Sequence, residues 1–216
     1  MRVIFLGPPG AGKGTQARRA AARWGVLQIA TGDILREAMT AGTELGREAR
    51  RYYDAGELVP DDVIIGLVAE ALGRPEARKG FVLDGFPRTL AQAETLDQLL
   101  DDRGLALDRV VLFEVPEAEL VRRLTGRRIC RRCGHNYHVV FSPPRRPGIC
   151  DACGGELYQR KDDDEATVRT RLAVYERDTR PLVERYRRRE LLEAISGEGS
   201  VDQVFEAVLR ATEGGR

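Results

Sequence analysis

The chain has 216 residues, of which 42% are hydrophobic and 32% are charged, and its net charge is +1. This length suits one α/β domain with a small inserted module. The nearly neutral charge excludes an overall attraction to nucleic acid or to membrane surfaces. Lysine occurs only at Lys13, Lys79 and Lys161. The other cations are arginines, mostly through compositional bias, so an arginine is informative only where its position also fits.

The first apolar stretch runs only from Val3 to Leu6 before glycines and prolines begin. This is too short for a signal peptide or a membrane-spanning helix. We therefore expect a cytoplasmic protein without membrane partners.

A glycine-rich loop follows that stretch and precedes a helix-forming run. It reads Gly7-Pro-Pro-Gly-Ala-Gly-Lys-Gly-Thr15, and Gly7, Gly12 and Lys13 fit the pattern G-x-x-x-x-G-K. Backbone N–H groups of such a loop close on phosphate oxygens, and the lysine supplies a cation. Gly14 stands where Ser or Thr normally follows the lysine. The strand–loop–helix order favours a phosphate-binding loop over an ordinary glycine-rich turn.

Apolar runs and helical periodicity predict the remaining elements in chain order. Further strands are predicted over residues 27–30, 81–83, 109–115 and 191–195. A helix capped by Thr31 or Asp33 is expected next, followed by helical segments to residue 72 that break at Gly42 and over 56–60. Helices are also predicted over 90–100 and 117–125, from Asp164 as one long helix, and after Ser200, which forms a capping box with Gln203.

Strands thus alternate with helices at least five times. This order predicts an α/β fold with a parallel sheet covered on both faces. Ligands bind such sheets beyond the carboxyl ends of the strands. The glycine-rich loop, Thr31, Asp84 and the Ser196-Gly197 turn all follow strands, so we expect them to meet at one edge.

Asp84 directly follows the strand at 81–83. An acid in that position holds Mg²⁺, through water, in proteins with a phosphate-binding loop. The alternative is a simple cap or turn residue. The loop already identified favours the magnesium interpretation.

Six arginines occupy positions that suit phosphate chemistry. They are Arg36, Arg88, Arg123, Arg127, Arg160 and Arg171. Transfer of a phosphoryl group between two nucleotides needs such cations, because negative charge spreads over oxygens of both molecules. Taken singly, each arginine is better explained as a solvated surface residue.

The four cysteines form two C-x-x-C pairs, Cys130 with Cys133 and Cys150 with Cys153. This spacing predicts a closed four-thiolate zinc site with a structural role. Reduced thiols without metal are the alternative. His135 and His138 lie between the pairs and are interpreted as ordinary polar residues, with His138 on the phosphate side.

Taken together, these motifs resemble those of adenylate kinases of the long bacterial form with a zinc-bearing lid. The resemblance covers essentially the whole chain. The motifs that carry the resemblance are the loop ending at Thr15, Thr31-Gly-Asp33, Leu83-Asp-Gly-Phe-Pro-Arg-Thr89, Gly126-Arg-Arg128 and Arg160-Lys-Asp-Asp163. The family's loop reads Gly-Lys-Gly-Thr, which accounts for Gly14.

The resemblance implies a fold and a domain division. The fold would be that of P-loop NTPases, with a five-stranded parallel sheet. Residues 1–29, 60–125 and 164–216 would form the core, 30–59 a nucleoside-monophosphate flap, and 126–163 the zinc-bearing lid. Asp162 and Asp163 would help to set the geometry of the lid.

The resemblance also implies roles for individual residues. Contacts to ATP would come from Gly10, Ala11, Gly12, Lys13, Gly14, Thr15, Arg123, Arg127, Asn136, Tyr137 and Gly199. Contacts to AMP would come from Thr31, Arg36, Glu57, Leu58, Val59, Gly85, Phe86, Pro87, Arg88, Gln92, Arg160 and Arg171. The catalytic cations would be Lys13, Arg88, Arg123, Arg127, Arg160 and Arg171. Two residues depart from the family pattern, since Ser196 replaces an aspartate and Asn136 replaces an apolar residue.

The implied activity is reversible transfer of a phosphoryl group from MgATP to AMP, giving two ADP. ATP, AMP and ADP would be the partners of a monomer that needs Mg²⁺ and a structural Zn²⁺ and binds no nucleic acid. Three alternatives remain open. They are a kinase for another nucleoside monophosphate, a nucleic-acid-binding protein with an accessory ATPase, and a regulatory nucleotide switch.

Overall fold

The computed structural model describes residues 1–213, so residues 214–216 of the predicted core lie outside the described residues. Its strands are β1 (Arg2–Leu6), β2 (Leu27–Ala30), β3 (Phe81–Asp84), β4 (Arg109–Glu114), β5 (Arg127–Cys130), β6 (Asn136–His138), β7 (Leu157–Tyr158) and β8 (Leu192–Ser196). Five of them form one parallel sheet in the order β2-β3-β1-β4-β8. This confirms the predicted fold class.

Nine helices surround the strands within the described residues. They are α1 (Lys13–Trp24), α2 (Thr31–Ala41), α3 (Glu44–Ala55), α4 (Asp61–Gly73), α5 (Leu90–Asp101), α6 (Glu117–Thr125), α7 (Glu165–Val174), α8 (Pro181–Arg188) and α9 (Val201–Glu213). Residues Pro75–Lys79 and Lys161–Asp163 form short 3₁₀ turns. In the same part of the chain, none of the helices combines the length and the apolar character needed to cross a membrane.

Both faces of the central strands of the large sheet are buried. Alternate residues of β1 point to opposite faces, so Ile4 packs with Tyr186 of α8 while Phe5 packs with Ala17 of α1. Because helices cover both faces, the central strands β3, β1 and β4 read as continuous apolar runs rather than as alternating ones. The edge strands β2 and β8 include Gln28 and Glu193 and are less buried.

Most helix ends follow the sequence signals. Gly42 and Gly56 end α2 and α3 with left-handed backbone angles, φ 67° and 76°. Ser200 and Gln203 exchange hydrogen bonds of 2.8 and 3.2 Å, which confirms the capping box of α9. The predicted cap of α2 is wrong, because Ala30 is the N-cap residue and no side chain caps the helix.

The predicted single helix after Asp164 is interrupted. A π turn over Tyr175–Thr179 separates α7 from α8, and the N–H of Arg180 donates to Tyr175 O at 2.9 Å. Pro181 explains the interruption, because a proline has no N–H for an α-helical bond and its ring clashes with the carbonyl four residues earlier. As a result α7 contributes Leu172 to one sheet face and α8 contributes Leu182 to the other.

The segment inserted between α6 and α7 has its own sheet and its own small core. Strands β6-β5-β7 are antiparallel, and Cys130, Tyr137, Cys150 and Leu157 pack together. The sequence predicted only an irregular segment here, because strands of two to four residues give almost no periodic signal. The division at residues 126 and 163 stays a prediction.

Candidate active site

The glycine-rich loop links β1 to α1 and encloses the side chain of Lys13. The ammonium group donates hydrogen bonds to Gly7 O at 2.7 Å and to Pro8 O at 2.8 Å. Burial lowers the pKa of Lys13 to about 8, and Arg88, Arg171 and Arg127 act in the same direction while Asp84 opposes them. An anion bound in the loop would add to the counter-charge that Asp84 supplies only in part.

Asp84 ends β3 beside the loop. A Cβ atom added to Gly14 would lie 3.1 Å from Asp84 Oδ2, so a Ser or Thr side chain at position 14 would press against the carboxylate. This contact gives a physical reason for glycine at that position. Burial raises the pKa of Asp84, with Lys13 and Arg88 opposing. A nearby divalent cation would favour the ionised carboxylate, and oxygen ligands suit Mg²⁺.

The turn after β3 is held tightly by side chains. Gly85 has φ 81°, and its carbonyl accepts hydrogen bonds from Thr31 Oγ1 at 2.9 Å and from Arg88 Nε at 2.7 Å. The N–H of Arg88 donates to Gln92 Oε1 at 2.7 Å. Thr31 therefore fixes the turn instead of capping α2. Phe86 points away into the core and is 1% exposed, so only its backbone could reach a ligand.

Asp61 orients Gln92 and was not identified from the sequence. Its carboxylate accepts hydrogen bonds from Gln92 Nε2 at 2.7 Å and from Thr89 Oγ1 at 2.8 Å. The NH₂ group of Gln92 donates to Asp61, and the N–H of Arg88 donates to the amide oxygen of Gln92. Because each end of the amide has its own partner, the orientation of the Gln92 amide is fixed. In the sequence, Asp61 is indistinguishable from a helix-stabilising acid in the first turn of α4.

Three further arginines reach the cleft from the lid and from α7. Arg127 Nε donates to Asp163 Oδ2 at 2.8 Å, and Arg171 lies 2.9 Å from Asp162 Oδ2. Within residues 1–213, Nε of Arg160 is buried without a hydrogen-bond partner. Burial and the neighbouring Arg127 and Arg36 lower the pKa of Arg160 to about 10. Arg160 is therefore a cation of the cleft whose charge an anion would compensate.

The remaining predicted contacts lie at the two ends of the cleft. In the 30–59 segment, Arg36 pairs with Asp33 and with Tyr53 OH, Glu57 is exposed, and Val59 is buried. At the other end, Arg123 donates to Gly197 O at 2.9 Å and pairs with Glu119. These contacts fix the arginines before any ligand binds.

Two residues of β6 have different surroundings. Asn136 is half-buried and lines the cleft. The hydroxyl of Tyr137 accepts a hydrogen bond from Asp151 N at 2.7 Å and lies 3.5 Å from Cys150 Sγ. Its side chain thus belongs to the lid core, and a nucleotide contact would come from its backbone.

His138 lines the same cleft, yet both of its ring nitrogens are occupied. Nε2 donates to Arg122 O at 3.0 Å, and Nδ1 accepts from the N–H groups of Val140 and Phe141 at 3.0 Å. These bonds fix the neutral Nε2–H tautomer, so His138 connects the lid to α6 rather than offering a free group to a phosphate.

One cleft of about 1690 Å³ brings the predicted nucleotide contacts together. Its lining includes Gly10, Ala11, Gly12, Lys13, Gly14, Thr15, Thr31, Arg36, Glu57, Leu58, Val59, Asp84, Gly85, Pro87, Arg88, Gln92, Arg123, Arg127, Asn136, Tyr137, Arg160, Arg171 and Gly199. Of the predicted nucleotide contacts, only Phe86 is outside this lining. Typical small-molecule pockets measure ~300–1,000 Å³, so the cleft has room for two nucleotides.

The four cysteines meet within the segment inserted between α6 and α7. Their sulfur atoms all lie within 4.8 Å of one another, with Cys130 Sγ 3.4 Å from Cys153 Sγ and Cys133 Sγ 3.6 Å from Cys150 Sγ. These distances exceed a disulfide bond of about 2.05 Å and match the edges of a tetrahedron around a metal ion. The cluster can therefore hold a metal ion.

The fold and the site define the class of the protein. A parallel sheet whose first strand runs into a lysine-bearing glycine loop, with an acid at the end of the neighbouring strand, is typical of phosphate-loop nucleotide-binding proteins. The sequence model of the family described as adenylate kinase matches residues 5–191. The chain belongs to the adenylate kinase family.

Curated relatives support the same family over almost the full length. The chain is 53% identical over 208 residues to an adenylate kinase of Archaeoglobus fulgidus, covering 96% of both chains. It is 54% identical over 215 residues to one of Desulfitobacterium hafniense, covering 100% of this chain and 99% of the relative. It is 56% identical over 211 residues to one of Moorella thermoacetica, covering 98% and 97%.

Proposed function

We propose that the protein transfers the terminal phosphoryl group of MgATP to AMP, reversibly, giving two ADP. The observation that carries this proposal is a single large cleft in which cations from several elements gather around Lys13 of the glycine loop. Arg88, Arg127 and Arg171 are each close enough to lower the pKa of Lys13. A site for one nucleotide and water would need fewer cations than these.

In this proposal, the glycine loop binds the phosphates of ATP and Arg123 and Arg127 reach the same nucleotide from α6 and the lid. The acceptor nucleotide lies against the turn 85–88 and Gln92, with Thr31, Arg36 and residues 57–59 along the flap. A phosphate oxygen of AMP attacks the terminal phosphorus of ATP, and the bond to the bridging oxygen of the departing ADP breaks. No protein nucleophile is required, since positioning and charge neutralisation supply the catalysis.

The remaining cations have roles in the transfer itself. Arg160 and Arg171 bind oxygens of the transferred group, and Arg88 holds the acceptor phosphate. Asp84 would hold Mg²⁺ through water, and this ion would neutralise part of the phosphate charge. The core, the flap 30–59 and the lid 126–163 would close over both nucleotides and exclude water, which would otherwise hydrolyse ATP.

The test is a coupled assay for ADP formed from ATP, with and without AMP. We expect turnover only with AMP and two ADP per ATP consumed. A panel of AMP, CMP, UMP and GMP tests the acceptor, and the alternative of a kinase for another monophosphate predicts a different preferred base. Slow hydrolysis that is indifferent to the acceptor would instead support a nucleotide switch. Tight, salt-sensitive binding of RNA without acceptor-dependent turnover would support the nucleic-acid alternative.

The proposal includes a structural zinc ion in the lid and a monomeric, cytoplasmic enzyme. Four thiolates leave no open coordination position, so the ion would stabilise the lid without touching the substrates. A lid core of four residues is too small to be stable by apolar burial alone. Sedimentation analysis measures the oligomeric state and tests the proposed monomer.

Replacing Cys130 by serine is expected to remove the metal and destabilise the lid. Metal binding of this kind contributes several kcal/mol to folding, so Tm should fall by ~10 °C while most turnover at moderate temperature remains. Metal content and calorimetry measure the effect. His135→Ala is the matched control, since His135 lies in the same segment outside the sulfur cluster. Loss of turnover without loss of stability in Cys130→Ser would contradict a structural role.

A further inference from the structure

The backbone of Arg88 is held on both sides by side chains from other elements. Its N–H donates to Gln92 Oε1 of α5 at 2.7 Å, and its carbonyl accepts a hydrogen bond from Thr179 Oγ1 at 2.9 Å. Thr179 is 5% exposed and lies 91 positions further along the chain. We propose that Thr179 is a positioning residue that fixes Arg88 for the acceptor phosphate, an inference that rests on the proposed function.

The π turn is what brings Thr179 to this place. The turn widens the helix over Tyr175–Thr179, directly before Pro181. Single π turns inside helices often occur at functional sites, because they change the direction in which one side chain points. Here the interruption before Pro181 places the hydroxyl of Thr179 against the carbonyl of Arg88 in the turn after β3.

The contact also relates two cations to each other. Arg171 belongs to α7, which continues into the π turn. Burial lowers the pKa of Arg88, and the nearby Arg171 lowers it further. Two guanidinium groups repel each other unless an anion lies between them. Thr179 anchors the element that carries Arg171 to the backbone of Arg88, so it couples the positions of the two cations.

Thr179 touches no ligand in this account and acts only through Arg88. Gly85 O already holds Arg88 Nε, so the side chain moves with the turn. If the carbonyl of Arg88 lost its donor, the oxygen would turn towards another partner, and the guanidinium would shift with it. The effect should therefore fall on the acceptor nucleotide and not on ATP.

The experiment compares Thr179→Val, which keeps the shape and removes the hydroxyl, with Thr179→Ser, which keeps the hydroxyl. We expect Thr179→Val to raise KM for AMP about tenfold, as the loss of one well-placed hydrogen bond does, with KM for ATP within about twofold of wild type. Thr179→Ser should restore KM for AMP.

Thr212→Val is the matched control. Thr212 is 7% exposed, donates to Val208 O at 2.9 Å within α9 and is not part of the cleft lining, so the same substitution should leave both KM values unchanged. Equal rises in both KM values in Thr179→Val, or a KM for AMP equal to wild type, would overturn the proposal. If the valine variant does not fold, Thr179→Ala is measured against the same two outcomes. Absence of AMP-dependent turnover in the wild type would overturn the proposed function itself.

Discussion

Replacing Lys13 by methionine is expected to lower turnover by ~10³-fold or more, with the fold retained. Methionine fills a similar volume without the charge, so the loop can keep its path around it. The loss is large because Lys13 is the cation inside the glycine loop, and burial has already lowered its pKa to about 8. Such an ammonium gains most from an arriving phosphate, and this gain grows as charge moves onto the bridging oxygen in the transition state.

Steady-state rates of ADP formation and thermal melting measure the two parts of this expectation. Lys79→Met is the matched control, because Lys79 is exposed at the end of a 3₁₀ turn and the substitution is identical. Near-normal turnover in Lys13→Met would exclude the loop as the site of phosphate chemistry. A large fall in Tm would mean that the lost rate reports folding instead of catalysis.

The parts of the fold that could be predicted are those determined by short, continuous stretches of sequence. Each buried parallel strand is a compact apolar run, and Gly42 and Gly56 mark helix ends because they adopt backbone angles that other residues avoid. The glycine loop is likewise local, from Gly7 to Thr15. The meeting of all these segments at one edge follows from the rule that parallel strands present their carboxyl ends together.

What could not be predicted depends on contacts between distant positions. Asp61 and Gln92 are 31 positions apart, and nothing in either sequence neighbourhood indicates that they share hydrogen bonds. The π turn needed Pro181 to be recognised as a break inside a helix pattern that continues on both sides. His138 lines the cleft, but nothing in the sequence indicates that three internal hydrogen bonds occupy its ring.

The two departures from the family pattern have different surroundings. Ser196 ends β8, and its hydroxyl accepts a hydrogen bond from Glu198 N at 3.2 Å, which shapes the turn towards Gly199. A serine can thus form a turn that an aspartate would also form. Asn136 sits on β6 in contact with the cleft, where a polar side chain can be satisfied by solvent or by a nucleotide.

Replacing Arg88 by methionine is expected to lower kcat/KM for AMP by ~10²-fold or more and to change KM for ATP little. Arg88 is enclosed by the turn 85–88. Burial together with Arg171 lowers its pKa, which means that its positive charge is poorly compensated until a phosphate binds. Arg88→Lys should recover only part of the loss, because an ammonium group cannot form the two parallel bonds of a guanidinium.

Separate titrations of ATP and AMP measure this result, with Arg78→Met as the control at an exposed position. Comparing the kinetic effects of Lys13→Met and Arg88→Met then shows which part of the cleft binds which nucleotide. Lys13→Met should impair turnover whichever nucleotide is varied, whereas Arg88→Met should act through the acceptor. If Arg88→Met weakened ATP as strongly as AMP, the two ends of the cleft would not bind separate nucleotides, and direct transfer between them would have no structural basis.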